Sequence, residues 1–141
     1  MHLGFLILTD HSEVLNGKVY AMGGGWNMLH FPELPIEHEF GIAFGLDVPW
    51  DENNQRHELR LEIEDPDGAR LGDEFAFEFE TGRPPGLLPG QDQRIVLSLE
   101  ARVGLQTPGP HAVVVRVGEQ EIGRSRFYVL ELPGGAAAAP T

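Results

Sequence analysis

The chain has 141 residues, no cysteine and a formal net charge of −12, with 22 acidic residues against 10 basic ones. This length fits one domain with its own core, placed at residues 1–132, and the lack of cysteine excludes disulfides, thiolate metal sites and cysteine nucleophiles. The charge disfavours nucleic acid and anionic lipid as partners, because both are bound through clustered Lys and Arg.

The first eight residues, MHLGFLIL, are apolar and contain neither Lys nor Arg. A secretory signal begins with basic residues, so we expect this segment to be a buried strand. No stretch approaches the roughly 18 apolar residues of a membrane helix. We therefore expect a cytoplasmic protein with no membrane partner.

Segments 3–9, 18–23, 26–31 and 36–48 are rich in apolar residues on both faces. Asn16-Gly17 predicts a tight hairpin turn between the first two segments. A sandwich strand turns only one face to its core, so the second apolar face of 3–8 and 40–48 needs another cover. We expect either a homodimer or higher oligomer formed through the amino-terminal half, or a lid made by Leu87 and Leu88.

Charged and apolar residues alternate in segments 58–64 and 74–80, as in strands with one wet face. We expect the apolar positions to face the core: Leu59, Leu61, Ile63, Phe75, Phe77 and Phe79. Asp65-Pro66-Asp67-Gly68 predicts a turn leading to a short strand near residues 69–71.

Segment 82–92, GRPPGLLPGQD, is too rich in proline and glycine for a regular element, and is too long for a hairpin loop. We expect it to carry the chain between two sheets. Three more strand patterns follow, around 95–99, 113–117 and 127–131, and the Gly/Ala/Pro tail at 133–141 is expected to be disordered. The predicted fold is all-β: a two-layer antiparallel sandwich of eight or nine strands, immunoglobulin-like in architecture.

Three segments carry a resemblance to known proteins. They are Leu8-Thr9-Asp10 followed by Asn16-Gly17-Lys18, then Gly23-Gly24-Gly25-Trp26, then Val48-Pro49-Trp50-Asp51-Glu52-Asn53 leading to Arg56-His57. Over residues 3–130 the chain resembles an uncharacterised family of small, mostly actinobacterial proteins of unknown function. The resemblance implies a shared sandwich-like fold; it carries over no activity, cofactor or catalytic residue.

The six histidines lack the close-spaced pairs of a zinc site, so we expect no bound metal and no cofactor. His30 and His38 are the pair that adjacent strands could bring together, if segments 26–31 and 36–44 form a hairpin. The glycines before Trp26 are followed by a strand pattern, which favours a backbone bend over a phosphate loop.

Glu62, Glu64, Glu78 and Glu80 would form an acidic patch on neighbouring strands. Like charges opposite one another destabilise a sheet. Three alternatives follow: arginines lie between the carboxylates, a cation binds there, or the strands are not neighbours.

Two tryptophans complete the candidate site. Trp26 is expected between the sheets, whereas Trp50 precedes Asp51 in a polar loop and is a candidate contact for a ligand or partner. The candidate binding residues are Trp26, His30, His38, Trp50 and Asp51, and no residue is assigned a catalytic role. We expect a non-catalytic binding or structural module that self-associates and has an unknown protein partner. The alternative is a small metal-dependent or small-molecule enzyme on a jelly-roll-like barrel.

Overall fold

The computed structural model describes residues 1–133, which form nine β-strands and one short 3₁₀ turn. The strands are β1 (His2–Leu15), β2 (Lys18–Gly24), β3 (Met28–Phe31), β4 (Ile36–Val48), β5 (Arg56–Glu64), β6 (Arg70–Glu80), β7 (Gln93–Leu105), β8 (Gly109–Val117) and β9 (Gln120–Glu131). The 3₁₀ turn, Trp50–Glu52, lies between β4 and β5. The predicted class and strand number are confirmed, although the short strand expected at 69–71 is the start of the longer β6. Apart from Pro133, the tail expected to be disordered lies outside the described residues.

Two sheets pack face to face, with the strand orders β2-β1-β4-β7 and β3-β9-β8-β5-β6. Phe40 and Phe44 of the first sheet and Phe127 of the second are fully buried in the core between them. Six of the seven pairs of neighbouring strands are antiparallel, whereas β3 runs parallel to β9. The two-layer sandwich is confirmed, with a parallel pair at one edge that the sequence pattern did not predict.

The inward orientation expected for the apolar side chains of β5 and β6 is confirmed. Leu59 lies opposite Phe77 and Leu61 opposite Phe75, and all of these side chains belong to the core or pack against it. The leucines are fully buried, whereas the phenylalanines of β6 are only partly buried. The difference arises because β6 is the last strand of its sheet and has a neighbour on one side only.

The second face of β4 is covered by the chain itself. Gly41, Ala43 and Gly45 occupy this face, and all three are buried. A Cβ at Gly45 would overlap the Phe5 ring, and one at Gly41 would meet Thr9 and the backbone of Ser12. The amino-terminal strand β1 therefore bends across β4 after Thr9.

The bend gives this face a cover that differs from the two expected from the sequence. Thr9 pairs with both Gly41 of β4 and Gly24 of β2, and beyond it β1 continues only with β2. A 2.7 Å hydrogen bond joins the hydroxyls of Ser12 and Ser98, so the β1–β2 hairpin reaches β7 across β4. The proposed lid was wrong, because Leu88 in the crossover is 67% exposed. The apolar faces of 3–8 and 40–48 give no separate reason for an oligomer.

Local turn chemistry follows the sequence closely. Asn16 and Gly17 both have positive φ angles, 52° and 71°, in the turn between β1 and β2. The Asp65 carboxylate accepts hydrogen bonds from the backbone N–H groups of Asp67 and Ala69, both at 2.9 Å, which closes the β5–β6 turn. The crossover at 82–92 carries the chain from β6 in one sheet to β7 in the other, as expected.

Within residues 1–133 the three-residue 3₁₀ turn is the one helical element, so this part of the chain contains no helix long and apolar enough to cross a membrane.

Candidate functional site

Trp26 belongs to an aromatic cluster between the two sheets. Its ring meets Phe40 edge-on at 5.5 Å between centroids and Phe127 at 6.2 Å, and these two phenylalanines come from opposite sheets. His111 stacks on Phe127 at 5.3 Å, and its Nδ1 lies 3.0 Å from the Gly109 carbonyl. The tryptophan therefore joins the sheets, as expected for a sandwich.

His38 extends the same cluster. It lies 5.2 Å from the Phe31 ring and 6.2 Å from the Phe40 ring, measured between centroids. Burial lowers the pKa of His38 below its usual value, although Asp10 and Glu39 act in the opposite direction. The imidazole is neutral at physiological pH and packs as an aromatic side chain.

His30 and His38 are not brought together by a hairpin. His30 lies on β3, which pairs with β9, whereas His38 lies on β4 in the other sheet. The predicted hairpin of 26–31 with 36–44 is therefore wrong. Its four-residue connection contains Pro32 and Pro35, which have no N–H to donate to a ladder, and the chain changes sheet there. No three His, Asp or Glu side chains in residues 1–133 are grouped so that they could hold a metal ion.

Trp50 and Asp51 are held by contacts within the chain. The Arg83 guanidinium lies 3.9 Å from the Trp50 ring centroid, and its Nη2 donates to the Trp50 carbonyl at 3.1 Å. The Asp51 carbonyl accepts a 2.6 Å hydrogen bond from Gln55 Nε2. Trp50 thus anchors the start of the crossover to the 3₁₀ turn.

The four glutamates expected to form an acidic patch are separated by arginines. β5 and β6 are neighbours, and Glu58 lies directly opposite Glu78. Arg116 of β8 contacts Glu62 at 3.2 Å and Glu64 at 3.9 Å. Arg56 contacts Glu78 at 3.5 Å. Of the three alternatives, interleaved arginine is the one supported by the contacts.

A cleft of about 260 Å³ lies beside this charged face, where the β5–β6 turn meets the start of β8. Its carboxylates are already engaged: Glu64 contacts Arg124 at 3.4 Å, and Asp65 accepts the two turn N–H groups. His111 also lines the cleft, and its Nε2 is buried without a hydrogen-bond partner among the described residues.

Three of the four exposed large apolar residues of the amino-terminal half lie on the β1–β2 hairpin, and the fourth, Met28, lies on β3. Leu15 is 55% exposed, Tyr20 54% and Met22 71%, and the last two lie on β2, an edge strand of its sheet. Residues 14–32 are also the longest run in the chain without aspartate or glutamate, and they contain no arginine and one lysine, Lys18. Sequence reasoning missed this surface because it grouped 18–23 with the doubly covered strands. The signal was present as the alternation of Lys18, Tyr20 and Met22 within that acid-free run.

A protein-family model matches residues 4–130 and is described as a family of unknown function, DUF6941. The match covers most of the chain, so the chain belongs to this family. This confirms the resemblance to an uncharacterised family.

No curated protein matches the chain. Among solved structures, the chain is similar to the Pseudomonas fluorescens alkylpurine DNA glycosylase AlkC bound to DNA containing an abasic site analog, with 17% sequence identity and a TM-score of 0.43. The match covers 89% of this chain but only 30% of the glycosylase chain. A similarity this low says nothing about activity.

Proposed function

We propose that this chain is a non-catalytic binding module that self-associates through its β1–β2 hairpin. The observation that carries the proposal is the exposure of Tyr20 and Met22 on an edge strand within the acid-free run 14–32. Exposed aromatic and thioether side chains are enriched at protein interfaces.

Charge restricts where two copies can meet. The chain carries a net charge of −12, so most pairs of surfaces would repel one another. The hairpin surface carries few charges: Lys18 is the one charged residue of β2, the Asp10 carboxylate lies over Gly23, and Glu13 contacts His11 at 3.0 Å. A second copy is therefore the partner we propose for this surface.

The strand order supports an immunoglobulin-like arrangement. In immunoglobulin domains, strands B and E are neighbours in one sheet, and C, F and G are neighbours in the other. β4 and β7 are neighbours in the first sheet here, and β5, β8 and β9 are neighbours in the second. The two sheets remain open at their edges, which disfavours the jelly-roll-like barrel of the enzyme alternative.

Sedimentation tests the proposal directly. We expect the wild-type chain to shift from 15.5 kDa towards twice that mass as its concentration rises. Tyr20→Lys combined with Met22→Lys should give a monomer, because charge replaces the apolar contact. Leu88→Lys is the matched control, since Leu88 is similarly exposed but lies on the crossover. A wild-type chain that stays monomeric at millimolar concentration would refute self-association.

A further inference from the structure

The free edge of β2 has a definite hydrogen-bonding pattern. The two-residue turn at Asn16-Gly17 is closed by the pair Leu15 and Lys18. In such a hairpin, hydrogen-bonded pairs alternate with non-bonded ones along the ladder. The backbone groups of Lys18, Tyr20 and Met22 therefore point towards β1. Those of Val19 and Ala21 point away from it, towards the open edge, whereas Gly23 has a φ of 63° and departs from the extended conformation.

Resting on the self-association proposed above, we propose that two copies join edge to edge through antiparallel β2 strands centred on Ala21. Each Ala21 then exchanges its N–H and C=O with the Ala21 of the other copy. On each side Val19 lies opposite Gly23 of the other copy, whose φ of 63° departs from an extended strand, so the central Ala21 pair supplies the two regular hydrogen bonds of this edge. The two four-stranded sheets become one continuous sheet about a two-fold axis.

The side chains favour this register over its neighbours. Centring on Ala21 sets Tyr20 opposite Met22 of the other copy twice, which forms two sulfur–aromatic contacts on one face. It overlaps the whole of Lys18–Gly24 with its counterpart. It also sets Lys18 opposite Gly24, so the two lysines lie about 20 Å apart. A centre at Tyr20 or at Met22 shortens the overlap and breaks the two aromatic–thioether pairs.

Apart from Lys18 and the positive φ of Gly23, the edge strand β2 has none of the usual features that prevent pairing with another strand. Soluble proteins protect edge strands with charges, proline or bulges. Six of the seven residues of β2 are exposed, and none is proline, aspartate or glutamate. Of the carboxylates near this strand, that of Asp10 lies over Gly23, which the two-fold axis sets opposite Val19 of the other copy, and that of Glu13 contacts His11. An antiparallel second copy satisfies this edge without bringing like charges face to face.

The absence of cysteine in the wild type makes crosslinking a clean test. Ala21→Cys puts two thiols on residues that pair directly, with Cα atoms about 5.5 Å apart, within reach of a disulfide. Lys18→Cys, on the same exposed strand, puts them too far apart. We expect mild oxidation to give a covalent dimer with Ala21→Cys and none with Lys18→Cys.

Amide hydrogen exchange of the wild-type chain gives a second measure that needs no substitution. We expect the N–H of Ala21 to gain protection as concentration rises, while that of Tyr20 is protected at every concentration by β1. Ala21→Pro removes only an outward donor and should weaken dimerisation about tenfold or more.

The outcomes separate the two proposals. A chain that dimerises but crosslinks equally through both cysteines, or through neither, refutes the Ala21-centred pairing and leaves self-association standing. A chain that is monomeric by sedimentation refutes both.

Discussion

Removing a phenylalanine ring from two places in the core should show how much of the stability loss comes from lost burial and how much from the cavity left behind. Phe44 is 0% exposed at the centre of β4, whereas Phe77 is partly buried on the edge strand β6. Phe44→Ala and Phe77→Ala delete identical atoms. The difference between their effects therefore measures how well each site can close after the deletion.

The expected magnitudes differ by about a factor of two. Phe44→Ala loses a fully buried ring and leaves an enclosed cavity, which costs about 3–5 kcal/mol. Phe77→Ala opens towards solvent, so we expect about 1–2 kcal/mol from lost burial alone. For a chain of this length each kcal/mol corresponds to roughly 3–5 °C in Tm. Urea unfolding of both variants, with the slope of the transition compared to wild type, measures the free energies.

Equal losses in the free energy of unfolding for the two variants would refute the argument, because the depth of burial would then not determine the loss of stability. A Phe77→Ala variant as stable as wild type would contradict the inward register of β6. Phe79→Ala, one pair further along the same partly buried face, serves as an internal repeat of the Phe77 measurement.

Two further predictions concern charge. Asp47 accepts two hydrogen bonds from Arg94, at 2.7 and 3.0 Å, and these bonds lower its pKa; Asp47→Asn should cost about 1–2 kcal/mol at neutral pH. Because folding lowers the pKa of Asp47, its contribution to stability is present above the unfolded-state pKa near 4 and is lost as the pH falls through the lower, folded-state pKa. Wild type and Asp47→Asn should therefore converge in stability between about pH 5 and pH 2. A stability difference that stays constant over this range would contradict the role given to the Asp47–Arg94 pair. Arg116 of β8 and Arg124 of β9 are paired with glutamates, Arg124 with Glu121 at 2.6 Å, and the net charge is −12. Micromolar protein should therefore not shift duplex DNA in a gel at about 150 mM salt. A shift that weakens steeply with added salt would contradict this prediction.

The sequence predicted those parts of the fold in which local chemistry and burial agree. Alternation at 58–64 and 74–80 predicted the strands and their inward faces, because each strand has one face on the core and one wet face. Asn16-Gly17 gave the first turn because both residues adopt positive φ. These features depend on residues that are close in sequence, so they can be inferred from a single amino-acid sequence.

Pairings between distant segments were not accessible in the same way. β3 is only four residues long, and its partner, β9, lies about 100 residues further along the chain. Its apolar pattern fits an antiparallel partner as well as a parallel one. The same limit applies to Trp50: it contacts Arg83, a residue of the distant crossover, and no local pattern indicates that contact.

The bend of β1 changes where an oligomer should form. Apolar residues on both faces of 3–8 and 40–48 indicated a surface awaiting a partner, but small residues in β4 let β1 cross over it. The covering element then leaves its own outer surface exposed. Glycine at 41 and 45 admits the Thr9–Ser12 segment and the Phe5 ring, and this positions the hairpin with Tyr20 and Met22 outward. The proposed interface therefore lies at the edge of β2 and not in the middle of the sheet. Outward backbone groups of β2 would there add directional hydrogen bonds to the apolar contact.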